Sequence, residues 1–137
     1  MITVKPKTGR GGLISERHRM LIETIGWQVR VQHHLWSPPT DLFETQADYI
    51  VRVEVAGMRE QDFAVTLEHN YLTISGTRDE AHQRRAYHQM EVRFGKFSTV
   101  VALPGPVEIK TSRAEYEDGF LTVTLPKASP GQIIIKG

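Results

Sequence analysis

Tyr49, Val51, Val53 and Val55 are separated by single residues, Ile50, Arg52 and Glu54. This period of two is that of a strand with one buried face. It constrains the fold because it recurs: Phe63, Val65 and Leu67 alternate with Ala64 and Thr66, Leu72 and Ile74 face one way, and Phe97, Thr99, Val101 and Leu103 repeat the pattern. Leu121, Val123 and Leu125 form a last inward series, and further strands are read over MEVRF (90–94) and IKTSRAEY (109–116). Turn signals stand between them, at His69-Asn70, Pro104-Gly105-Pro106 and Glu117-Asp118-Gly119. Short strands at regular spacing, with no convincing helix after residue 26, predict an all-β chain with an immunoglobulin-like β-sandwich architecture. At 137 residues the chain is long enough for one hydrophobic core and too short for two.

The ends read differently. Residues 1–36 form an N-terminal arm, predicted to be partly helical; 37–127 form the β domain; 128–137 form an extended C-terminal tail. The first twelve residues are basic and glycine-containing, show no periodicity and are predicted to be mobile. Ser15 caps a predicted helix whose Ile14, Leu21 and Ile25 share a face and which Gly26 ends. The next segment, WQVRVQHHLW, fits a strand through Trp27, Val29, Val31, His33 and Leu35 and a helix face through Trp27, Val31 and Leu35, and on either reading Trp27 and Trp36 stand outside the core.

Little in the chain points to chemistry. The chain has no cysteine, so it holds neither a disulfide framework nor a thiolate metal site, and a reducing, cytoplasmic setting is expected. Its six histidines make no helical H-x-x-x-H, and no metal site is expected. TGRGG lacks the spacing of a phosphate loop, and no serine lies in a G-x-S-x-G elbow. No catalytic residue and no cofactor site is therefore assigned. A net charge of +1, and a mixed run of charges from Arg78 to Gln89, argue against a nucleic-acid surface. No apolar run reaches the length of a membrane span or of a secretory leader, so no membrane partner is expected.

Five segments, in order, resemble the small heat shock proteins, whose α-crystallin domain is a β-sandwich. WSPPTDLFE (36–44) is similar to W-x-P-x-x-D-x-x-E. VEVAGMREQDFAVTLEHNYLTISG (53–76) resembles the segment in which a strand ends at P-G, a D-[IF] pair starts the next and I-S-G closes a hairpin. FGKFSTVVALP matches G-x-F followed by L-P. Ala114, Gly119 and Leu121 fit A-x-x-x-x-G-x-L, and Ile133 and Ile135 fit the C-terminal I-x-I. Two positions depart: Ala56 replaces the usual proline, and Thr99 stands where an arginine commonly supports the dimer interface.

The resemblance implies an ATP-independent chaperone, not an enzyme, that holds partly unfolded client proteins and assembles with itself as oligomers of dimers in the stress response. It implies that the excursion between Gly76 and Phe97, with Arg84, Arg85 and Tyr87, reaches a partner subunit. It places the tail's Ile133 and Ile135 in a groove between a strand with Val65 and Leu67 and a strand with Ile109 and Thr111. In an extended peptide those two isoleucines point the same way and Ile134 the other. The arm residues Leu21, Ile25, Trp27, Leu35 and Trp36 would offer adaptable apolar contacts to clients. A p23-like sandwich that binds one folded partner and stays small is the alternative reading; a sandwich hydrolase lacks a nucleophile and base at recognisable spacing.

Overall fold

The alternation at 49–55 becomes a strand buried on one side, and the same rule builds most of the chain. The computed structural model describes residues 2–7, 35–80 and 84–128. Eight strands follow in order: β1 (Ile2–Pro6), β2 (Thr40–Glu44), β3 (Asp48–Glu54), β4 (Phe63–Glu68), β5 (Tyr71–Arg78), β6 (Gly95–Ala102), β7 (Arg113–Glu117) and β8 (Phe120–Pro126). The helix expected from Ser15, with Leu21 and Ile25, the arm's Trp27, and the tail's Ile133 and Ile135 lie outside the described residues.

The strands form one continuous sheet in the order β2-β3-β8-β7-β1-β4-β5-β6. Its two outermost strands meet again, since the hydroxyls of Thr40 on β2 and Thr99 on β6 lie 3.0 Å apart. The sheet is therefore folded over into two layers, β2-β3-β8-β7 and β4-β5-β6, with β1 joining them along one side. Inward residues of both layers share one core: Val51, Val53, Leu121, Val123 and Leu125 from the first, Leu72, Ile74 and Phe97 from the second, all fully buried. Each such side chain contributes about 1.5–3 kcal/mol relative to exposure. Phe63 packs against Tyr116 of the opposite layer at 5.1 Å between ring centroids, and Tyr116 donates its hydroxyl to the Val55 carbonyl at 2.7 Å.

The turns are made as expected. His69, at φ 55°, turns β4 into β5, and Glu68 pairs with Tyr71. Asp118 and Gly119, at φ 54° and 83°, close β7 onto β8; two successive positive φ values suit a two-residue hairpin, and glycine adopts one without strain. The Gly119 carbonyl also accepts from the Val55 amide at 2.9 Å, which locks the hairpin tip to the end of β3.

Four expectations are corrected. Residues 2–6 are a strand: Ile2 and Val4 do alternate with Thr3 and Lys5, and both are buried. Ile109–Thr111 is a 3-10 turn instead of the start of a strand, because the Thr111 and Ser112 hydroxyls donate to the Glu108 carbonyl and the Ser112 amide to that of Ile109. MEVRF forms no strand; residues 84–94 are exposed throughout. Trp36, expected outside the core, is buried and lies beside β6, its backbone exchanging hydrogen bonds with Lys96 and Ser98. Its ring packs 5.4 Å from that of Phe97.

Candidate functional site: one groove and two open edges

Where the two layers part, β4 and β7 face one another across a gap that a further strand fills. β1 runs parallel to β4, with Val4 opposite Val65 and Pro6 opposite Leu67, and antiparallel to β7, with Ile2 opposite Ala114. The Lys7 amide donates to the Leu67 carbonyl at 2.9 Å and continues the ladder. Of the four residues expected to line a groove, Val65 is buried, Leu67 and Ile109 are half-buried against the core, and Thr111 is exposed. β1 touches both β4 and the Ile109–Thr111 turn, so those elements do meet around one strand-shaped site, although Ile109 and Thr111 reach it from a turn.

The fold-signature residues shape this site. Ala114 is fully buried, opposite Ile2 on one side and Val123 on the other. Leu121 is fully buried opposite Val53 and Tyr116. At the head of β4 the Glu60–Asp62 turn is tied by Asp62, which accepts from the Arg59 side chain and backbone; these bonds hold its carboxyl below the ordinary aspartate value. Ile2 and Val4 went unnoticed in the sequence. The signal that would have found them is a local match: I-T-V-K at 2–5 repeats the form of I-I-I-K at 133–136.

The outer strands leave two edges. β2 pairs with β3 alone among the described strands, and its Leu42 and Phe43 are exposed. Arg52 covers part of that strand, with its guanidinium 3.2 Å from Asp41 and 5.3 Å from the centre of the Phe43 ring. Segment 84–94 exposes Tyr87, Met90, Val92 and Phe94. Its base is held by Arg78, which donates to the carbonyls of Arg93 and Ala56 and lies 4.5 Å from the Trp36 ring and 5.4 Å from that of Phe94. Arg85 sits 5.9 Å from the Tyr87 ring, and the Tyr87 hydroxyl donates to Glu80; Arg84, Arg85 and Tyr87 are exposed. Leu35 is half-buried.

Thr99 faces inward, and its contact with Thr40 takes the place of any charged pair at that position. Lys127 is the unexpected buried charge: its ammonium lies 2.6 Å from Glu44 and 5.1 Å from the centre of the Tyr49 ring. Among the described residues no group of three or more His, Asp or Glu could hold a metal, and no helix is long and apolar enough to cross a membrane.

Comparisons with known proteins agree with this geometry. Residues 41–136 match the Hsp20/alpha crystallin family. Small heat shock protein C2 of Rickettsia felis is 31% identical over 105 residues, covering 73% of this chain and 68% of that protein. A 19.0 kDa class II heat shock protein of Oryza sativa is 34% identical over 128 residues, covering 86% of this chain and 73% of that one. Among solved structures, heat shock protein 16.0 from Schizosaccharomyces pombe superposes with a TM-score of 0.65 at 30% identity, covering 74% of this chain and 96% of that one.

Proposed function

This chain belongs to the Hsp20/alpha crystallin family, the small heat shock proteins, which are typically ATP-independent, non-enzymatic chaperones, and from that premise we propose that it is a holdase that assembles as oligomers of dimers and keeps partly unfolded proteins from aggregating. The observation that carries this reading is the presence of two strand-forming surfaces that no described strand covers. β2 offers an edge with exposed Leu42 and Phe43, and segment 84–94 offers Met90, Val92 and Phe94 at every second position. An extended 84–94 of one subunit laid along β2 of a second would satisfy both, and twofold exchange would close a dimer. Arg84, Arg85 and Tyr87 lie on the segment that crosses.

Dimers are linked further through the tail. Ile133 and Ile135 supply two same-side anchors for the groove lined by Val65, Leu67 and Ile109. Each link is weak, and many in a closed assembly reinforce one another while opening singly. Residues 1–36 then act as arm, 37–127 as α-crystallin domain of immunoglobulin-like sandwich form, and 128–137 as tail, with β1 contributed by the arm to the body. Leu21, Ile25, Trp27 and Leu35 are the arm's client contacts. Trp36, packed on Phe97, serves instead to join arm to body.

Light scattering from a heat-denatured client tests the function. Without ATP, the chain at equimolar subunits suppresses the scattering; aggregation at the rate seen without it would refute the holdase reading.

A further inference from the structure

We infer that residues 2–6 are a built-in competitor for the groove that receives the tail, so that β1 of a subunit and residues 133–135 of a second copy exclude one another. The inference rests on the tail-in-groove reading proposed above. Two observations carry it. First, β1 occupies both walls at once, parallel to β4 and antiparallel to β7, so it takes the backbone groups on which a further strand would add. Val65 and Leu67, the residues expected to receive the tail, are already opposite Val4 and Pro6.

Second, the two segments have the same chemical form. I-T-V-K and I-I-I-K each place β-branched apolar residues two apart, with a β-branched residue between and a lysine after. In an extended strand the first and third side chains point into the groove together, as Ile2 and Val4 do here, buried while Thr3 and Lys5 are exposed.

The consequence is a coupling between assembly and the arm. A tail arriving from a second copy must lift β1 out, and lifting β1 frees the chain that leads to Leu21, Ile25 and Trp27. Occupancy of the groove by β1 favours small species, and its release favours tail-linked ones.

The test uses the full chain with its own tail disabled by Ile133→Ser and Ile135→Ser, with β1 either intact or carrying Ile2→Ser and Val4→Ser. A fluorescent synthetic peptide of residues 130–137 is titrated into both and followed by anisotropy. Because a segment on the same chain competes at high effective concentration, the β1 variant is expected to bind the peptide about tenfold or more tightly. In the β1-intact chain, saturating peptide is expected to speed hydrogen exchange at the Lys7 amide, which β1 docking holds on Leu67; this measurement decides the matter even if the β1 variant does not fold. Peptide binding of equal strength in both chains, with Lys7 exchange unchanged, overturns the competition and leaves the tail site standing. No binding in either chain overturns the tail site and the competition with it.

Discussion

Gly76, which ends the I-S-G of the second hairpin, is the position where a single methyl group interrogates the fold most sharply. A Cβ built there would lie 2.5 Å from the Asp62 carbonyl oxygen and 2.8 Å from Cζ of Phe97. The first neighbour is backbone, at the head of β4 where the chain enters the groove wall, and the second is a fully buried ring at the centre of the core. Neither moves freely. Gly76 does not occupy the left-handed region, so Gly76→Ala reports crowding and not a strained φ. Overpacking of this kind costs about 1–3 kcal/mol. Reduced freedom of the unfolded chain offsets about 0.4–1 kcal/mol of it. A net loss of about 1–2 kcal/mol lowers the urea midpoint by roughly 0.5–1 M at a slope of about 2 kcal/mol/M. Urea unfolding followed by tryptophan fluorescence, repeated at several protein concentrations because assembly stabilises by mass action, measures it. An unchanged or raised midpoint would show that β4, β5 and Phe97 are not packed as described.

Three further outcomes follow from other parts of the structure. Glu44→Ala leaves the Lys127 ammonium buried without its counter-charge and is expected to cost about 2–4 kcal/mol, more than Lys127→Met, which removes the buried charge itself; thermal unfolding of both variants ranks them. Met90→Ser together with Val92→Ser weakens the proposed exchange of segment 84–94 and shifts dimers toward monomers in sedimentation velocity, whereas a mass distribution like the parent's would place the dimer contact elsewhere. If the tail docks in extended form as proposed, Ile134→Ser is expected to disturb assembly size less than Ile133→Ser or Ile135→Ser in size-exclusion chromatography, and equal effects would contradict that docking.

What the sequence made legible is the part whose cause is local. A strand half-buried in a sheet must alternate, and Val51, Val53, Leu121, Val123 and Leu125 do so and are fully buried. Gly119 was legible for the same reason, since the turn's φ is set within the hairpin. Most of the readings that failed depend on distant partners, and the one at Ile109–Thr111 failed for a local reason. Ile2 and Val4 alternate over too short a stretch to announce a strand, and β1 exists because β4 and β7 present their edges to it. Met90, Val92 and Phe94 alternate just as well and form no strand, since they pair with no strand among the described residues. Ile109 and Thr111 had the spacing but also two hydroxyls at 111 and 112 that capture the Glu108 carbonyl. Trp36 ends a segment whose two periods both placed it outside the core, and its backbone pairing with Lys96 and Ser98 assigns it to the body.

The groove and the tail together make the central claim, and the mass of the assembly tests it most directly. Size-exclusion chromatography with light scattering on the parent chain and on Ile133→Ala with Ile135→Ala is expected to show an assembly larger than a dimer for the first and dimers for the second. A parent chain that runs as a monomer, or a double variant whose mass distribution matches the parent's, would contradict it.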